Sequence, residues 1–302
     1  MKKVLVIGGS GMVASRFCDL AKSNLDITSA DEKTLDITNA KAVEKYFLDN
    51  KFDVVVNFAA FTNVDAAEAE KGNEDGLTYK LNVLGPRNLA ETCNTNNIFL
   101  VHISTDFVFP GTEGVPGPYS EDSFLPETSE GIGWYGWTKN RAEFMLNETS
   151  NKYAIVRYGY PFRADAYEAK NDWARNLLKL YNEGKLYPLF DDQTQNVLFI
   201  DDLVEPLTKI INEELTGIFH IASTDTTTPY EVGSYLLDRY TSKHVELQKG
   251  SMVEFLKAPN RTPRPRLGGL TSVITQQSLN MKFKTWREMV DEFVIQLSKT
   301  NG

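Results

Sequence analysis

Tyr135 and Lys139 stand four residues apart in Trp134-Tyr135-Gly136-Trp137-Thr138-Lys139, so on a helix they share one face. A free phenol titrates near about 10 and is rarely ionised at neutral pH, but an ammonium beside it favours the phenolate. Such a phenol exchanges a proton with a substrate oxygen. Earlier in the chain the pair Ser104-Thr105 closes an apolar run, and Thr105 can hydrogen-bond the same oxygen as it changes between carbonyl and alcohol. By itself Tyr-x-x-x-Lys is a frequent chance match, whose plain alternative is an exposed helix pair worth roughly 0.2–0.5 kcal/mol.

Reducing a carbonyl requires a hydride donor, and the stretch Lys3 to Ala14, KVLVIGGSGMVA, has the form of a dinucleotide site. Val4 to Ile7 read as a strand buried on both faces, broken by Gly8, Gly9 and Gly11 just before a helical pattern. Gly8 can take a turn conformation closed to side chains, Gly11 lets backbone approach a pyrophosphate, and small Ala14 lets helix pack on strand. The helix then presents unpaired N–H groups to phosphates. Lys139 gains a second task, holding the nicotinamide ribose.

The second strand, Leu25 to Ala30, ends at Asp31, whose carboxylate can accept both ribose hydroxyls and repel a 2′-phosphate. That favours NADH over NADPH, softened by nearby Lys33; the alternative is a solvated turn residue. Phe52 to Asn57 is another buried strand running into Phe58-Ala59-Ala60-Phe61, where Ala59 and Ala60 leave room for a flat ligand. Helices are expected over Met12–Lys22, Asn39–Leu48, Asp65–Glu70 and Leu77–Asn96, and a strand over Ile98–Ile103. Alternating strands and helices mark an α/β, Rossmann-like, doubly wound parallel sheet whose carboxyl edge binds ligands. The Gly- and Pro-rich loop Pro110 to Pro126 is suited to covering a site.

A chain of 302 residues, 41% apolar, can bury a large core. Its net charge of -9 argues against nucleic-acid or anionic-membrane partners. Cys18 and Cys93 read as buried free thiols, and three scattered histidines show no ligand spacing, so no metal centre is expected. The apolar run after Lys3 stops at Gly8, too short for a signal peptide; a cytoplasmic protein without a membrane span is expected, with a homodimer left open.

The chain resembles the extended short-chain dehydrogenase/reductases and, within them, the dTDP-4-dehydrorhamnose reductase family. The likeness rests on Leu35-Asp36-Ile37-Thr38, Asp53 to Asp65 with Glu68, Val101 to Phe109, and Tyr135-Gly136-Trp137-Thr138-Lys139. It implies NAD(P)H-dependent reduction of the C4 ketone of a nucleotide-linked deoxysugar. It puts Gly11, Met12, Val13, Asp31, Asp36, Ile37, Ala59, Ala60, Phe61 and Ile103 at the cofactor. Thr105, Tyr135 and Lys139 match the family's catalytic trio. Asp106 and Tyr160 would meet the sugar nucleotide, and Asn82 would support a proton relay behind Lys139. Phe107 stands where the family has Tyr, Tyr160 where a Trp is common, and Ser129 to Gly133 is extra. Dehydratases of this group carry Glu at the position of Phe107, which argues against elimination; an epimerase, or a dinucleotide-binding regulatory subunit like that of methionine adenosyltransferase, shares the same features.

The expected domains are 1–158, binding NAD(P), and a smaller substrate-binding domain over 159–302, with a segment near 195–222 returning to the main sheet. Val197–Ile200 and Asp201–Asn212 are the stretches expected to return. Thr228 before Pro229 starts a helix to Tyr240. Asn260 to Arg266 holds three arginines that either bind a diphosphate or pair with surface carboxylates.

Overall fold

The computed structural model describes residues 1–150 and 152–300, the side chain of the last excepted. The first half alternates as expected: β1 (Lys3–Ile7), α1 (Met12–Ala21), β2 (Asp26–Ala30), α2 (Ala40–Asp49), β3 (Val54–Asn57), α3 (Val64–Glu68), α4 (Leu77–Tyr79), α5 (Gly85–Thr95), β4 (Phe99–Thr105), α6 (Trp134–Thr149) and β5 (Tyr153–Tyr158). The second half adds β6 (Pro161–Phe162), α7 (Trp173–Asn182), β7 (Leu189–Phe190), β8 (Leu198–Phe199), α8 (Asp201–Glu213), β9 (Gly217–His220), α9 (Pro229–Thr241), β10 (Lys249–Gly250), α10 (Met252–Lys257), α11 (Val273–Leu279) and α12 (Trp286–Thr300).

Six strands form one parallel sheet in the order β2-β1-β3-β4-β5-β9. Side-chain alternation splits its core in two. Val4 and Val6 of β1 meet Phe17 of α1 and Leu207 of α8 on one face, while Leu5 and Ile7 meet Phe47 of α2 and Leu89 of α5 on the other. Apolar side chains on both faces explain why each strand reads as a continuous hydrophobic run. The chain crosses from β2 to β3 on opposite sides of β1, so the crevice between the carboxyl ends of β1 and β3 is the switch point where such sheets take ligands.

Two expectations need correction. Leu77–Asn96 is not one helix: Lys80–Leu84 forms a π-helical turn, closed by the Gly85 N–H donating to the Lys80 carbonyl. Pro86 has no N–H for the Asn82 carbonyl and its ring crowds that turn, which favours the wider one. In the returning segment β9 is the sixth strand and α8 covers the sheet, but Leu198–Phe199 pairs with Pro161–Phe162 in a separate two-stranded ladder. Phe199 there packs with Phe162 and Phe293 in a second core, which also takes Leu177, Leu236 and Trp286. That core is what residues after Phe162 fold around. α9 starts at Pro229 under a capping box of Thr228 and Glu231.

The loop after β4 is stitched down by the C-terminal half: Gly117 N–H donates to the Leu267 carbonyl at 2.7 Å and Thr271 N–H to the Tyr119 carbonyl at 2.7 Å. Cys93 is buried, whereas Cys18 is only partly so, and both are free.

Candidate active site

The glycine turn after β1 is built as its residue types require. Gly8 sits at φ +73°, and a Cβ there would lie 2.8 Å from the Ala59 nitrogen. No side chain fits between the ends of β1 and β3. Gly11 precedes α1 with extended backbone and makes no side-chain cap, so the first turn of α1 keeps donors for an anion. Met12 and Val13 open that helix and Ala14 is buried against the sheet. Two residues that the sequence reading passed over brace this turn from the second half. Arg163 Nη1 donates to the Met12 carbonyl at 2.8 Å, and Tyr167 Oη to the Ser10 carbonyl at 2.7 Å. Both occupy carbonyls; within the loop, the Gly8 and Gly9 N–H groups donate to the Ala30 carbonyl and that of Gly11 to the Gly8 carbonyl.

Asp31 lies at the end of β2, partly exposed, with Oδ1 accepting the Lys33 and Thr34 N–H groups and the Thr34 hydroxyl. These bonds hold its carboxyl below the usual range. Asp36 caps its own turn through Thr38, and Ile37 is buried against Gly85. Across the crevice Ala59, Ala60 and Phe61 run partly exposed. Asn82, on the π-helical turn, clamps Phe61: its Oδ1 accepts the Phe61 N–H at 2.7 Å, and its Nδ2 donates to the Phe61 carbonyl and to Thr138 Oγ1. Asn82 therefore braces the cofactor-side loop against α6. The side chain behind Lys139 is His102.

α6 brings the chemistry to the end of β4. A Cβ on Gly136 would come 2.1 Å from the Phe107 carbonyl, so glycine lets the helix press on the turn after β4. Glu68 of α3 accepts the Trp134 N–H at 2.6 Å and anchors the helix start. Tyr135, partly open, stacks edge-on against Phe107 at 5.9 Å and hydrogen-bonds Thr105. Burial pushes its phenol well above the ordinary value, with the Thr105 bond opposing and the Asp106 charge adding to the rise. This reverses the expectation that Lys139 acidifies it. Lys139 Nζ instead lies 2.7 Å from the Ile103 carbonyl and 2.8 Å from His102 Nε2, and burial outweighs Glu143 to bring it down to about 7. Spacing placed the two groups on one face but carried no information about the medium, which here penalises both charges.

Asp106 is buried, accepts from Thr105 Oγ1 at 3.1 Å, and is pushed up to about 7 by burial. A Cβ on Gly159 would meet its carboxylate at 2.8 Å. Tyr160 holds φ +45°, unusual for a bulky residue, and turns its ring towards Phe107 at 6.1 Å. Its hydroxyl accepts from Gln193. Beside the loop after β4, a cleft of about 450 Å³ is lined by Pro110, Thr112, Lys257, Arg261, Arg264 and Arg266. Arg264 pairs with Asp65 at 2.7 Å and Arg266 with Glu113 at 2.8 Å. Among the described residues no group of side chains could hold a metal ion, and no helix is long and apolar enough to cross a membrane.

Residues 1–299 match the family described as the RmlD substrate binding domain. The spore coat polysaccharide biosynthesis protein SpsK of Bacillus subtilis (strain 168) is 27% identical over 296 residues, 97% of each chain. A dTDP-4-dehydrorhamnose reductase of Aggregatibacter actinomycetemcomitans is 26% identical over 298 residues, 95% of this chain and 96% of its own. The crystal structure of dTDP-4-dehydrorhamnose reductase from Bacillus anthracis str. Ames in complex with NADP matches at TM-score 0.86 and 27% identity, over 98% of this chain and 99% of that one.

Proposed function

The chain belongs to the RmlD substrate binding domain family, and from that premise we propose that it reduces the C4 ketone of a nucleotide-linked deoxysugar, as dTDP-4-dehydrorhamnose reductases do, using NADPH or NADH. The observation that carries the reading is the Thr105–Tyr135 hydroxyl pair with Lys139 one turn along α6, at the carboxyl end of β4 in the sheet that also bears the glycine turn. The cradle at Gly8 and the uncapped start of α1 fit a dinucleotide diphosphate. Gly8, Gly11, Met12 and Val13 would hold it, with Ala59, Ala60, Phe61 and Ile103 along its length and Asp31 and Asp36 near the adenosine end. When bound, the reduced nicotinamide supplies hydride to the ketone carbon.

The protein's own part is proton delivery. A phenol kept protonated by its surroundings is suited to reduction: the Tyr135 O–H bond breaks, an O–H bond forms on the substrate oxygen, and Tyr135 retains the electron pair as phenolate. Thr105 steadies that oxygen as its charge grows. Asp106 and Tyr160 would contact the sugar, and the arginine-lined cleft suits the diphosphate through bidentate contacts. With a panel of 4-keto nucleotide sugars, loss of the reduced-nicotinamide absorbance is expected, and Tyr135→Phe should slow turnover by about 10²–10⁴-fold with cofactor affinity nearly intact. No oxidation of either cofactor with any of these sugars, or unchanged turnover in Tyr135→Phe, would overturn the proposal.

A further inference from the structure

Behind Lys139 the hydrogen bonds have a readable direction. Asn57 Oδ1 accepts the Ala59 N–H at 3.1 Å, so the atom of that amide facing His102 Nδ1, 3.3 Å away, is Nδ2. An amide nitrogen donates and cannot accept, so His102 Nδ1 must be the acceptor. Burial keeps the ring neutral, and a neutral imidazole carries one N–H. That hydrogen is therefore on Nε2, aimed at Lys139 Nζ 2.8 Å away. A nitrogen that accepts a hydrogen bond has a free lone pair, and an ammonium has none.

We propose that Asn57 and His102 are positioning residues that hold Lys139 as a neutral amine, with one amine hydrogen on the Ile103 carbonyl. The inference rests on Tyr135 and Lys139 acting as the proposed catalytic pair. Were Nζ an ammonium, it would donate to Nε2 and drive the ring hydrogen to Nδ1, against the Asn57 amide hydrogens. Donor would face donor in a fully buried site, and such a mismatch is costly. With a neutral amine beside it, Tyr135 has no cation drawing off its proton and stays loaded for reduction. The titratable groups on the elements around Nζ are Tyr135 and Glu143 on α6, His102 and Asp106 on and after β4, and Arg157 and Tyr158 on β5. Of these, Glu143 draws the amine's proton affinity up, against burial.

Imidazole nitrogen spectra of ¹⁵N-labelled protein distinguish the two neutral tautomers from the doubly protonated ring. The chain has three histidines, and His220 provides an internal reference of the opposite kind: its Nδ1 faces the Thr271 carbonyl at 2.8 Å and its Nε2 faces Arg157 Nη1 at 3.2 Å. His102, assigned by its loss in His102→Gln, is expected as the Nε2–H form from about pH 8 to 9, above the value of about 7 at which the amine titrates. Asn57→Asp, whose carboxylate can accept both the Ala59 N–H and an Nδ1–H, is expected to invert the tautomer. It should also favour the ammonium and move the limb of the kcat–pH profile governed by Lys139 upward by about one pH unit. An Nδ1–H or doubly protonated His102 in the unaltered protein at about pH 8 to 9 overturns the proposal, as does an inverted tautomer in Asn57→Asp with an unmoved limb. The spectra need neither cofactor nor turnover. An Nε2–H His102 in a protein that reduces no 4-keto sugar would sink the proposed function and leave the tautomer assignment standing.

Discussion

Two polar clusters lie buried side by side between β4 and α6, and they differ in whether their charges are matched. His102 and Ser104 are two apart on the strand, and Lys139 and Glu143 four apart on the helix, so each pair shares a face. In one cluster Glu143 accepts from Arg157 Nε at 3.0 Å and from the Ser104 hydroxyl. Arg157 continues to His220 and lies over the Phe109 ring at 5.0 Å. Cation meets anion, and strands β4, β5 and β9 are tied to α6. In the other cluster Lys139 hydrogen-bonds a carbonyl and an imidazole and, among the described residues, no carboxylate. Pairing makes the first a structural rivet, and its absence leaves the second open to proton exchange.

Breaking the rivet should have the largest effect. Glu143→Ala leaves Arg157 buried without its carboxylate and should cost about 3–5 kcal/mol by denaturant unfolding; a near-neutral result would mean that Arg157 finds another partner. One turn earlier the sign should reverse. Lys139→Met removes an unmatched buried amine and should raise stability by about 1–3 kcal/mol at neutral pH while abolishing turnover. The amine titrates at about 7 folded against 10.5 for a free lysine. Between those values the unfolded chain binds more protons, so wild-type stability rises with pH across that window. The Met variant should lose that slope, and a slope that persists would place the titration elsewhere.

Asp106 sharpens the same contrast with the opposite charge. Its carboxyl titrates at about 7 folded against 3.8 free, so the folded state holds the proton and stability falls as pH rises from about 4 to 7. Asp106→Asn should therefore be the more stable protein above pH 7, by about 1–2 kcal/mol in thermal unfolding. An equal gain at pH 3 would assign the effect to packing. Partly exposed Asp31, screened by water, should matter least: Asp31→Ala is expected to shift the NADPH-to-NADH ratio of kcat/KM by roughly three- to tenfold. An unchanged ratio removes it from cofactor choice.

Much of this was readable beforehand because local chemistry carried it. Val4 to Ile7 could only be a doubly buried strand, and Gly8 announced a turn that no side chain could make. The face shared by Tyr135 and Lys139 followed from helical pitch. His102 showed no such signal, because a lone histidine within an apolar strand is ambiguous until its neighbours across the sheet are known. Asn57 belongs to β3 and Lys139 to α6, so their meeting is tertiary. Leu198–Phe199 looked like a strand of the main sheet, yet the second aromatic core around Phe162 and Phe293 captured it.

The π-helical turn at Lys80–Leu84 amounts to one residue more than an α-helix would accommodate. Each residue of an α-helix turns the chain by about 100°, so deleting Leu81 would restore regular winding and rotate Asn82 relative to the residues before it. The shortened helix would look regular but would press the Pro86 ring against the tightened turn, with Phe61 left unclamped. An irregularity that an engineer would be tempted to tidy away thus sets the floor of the crevice.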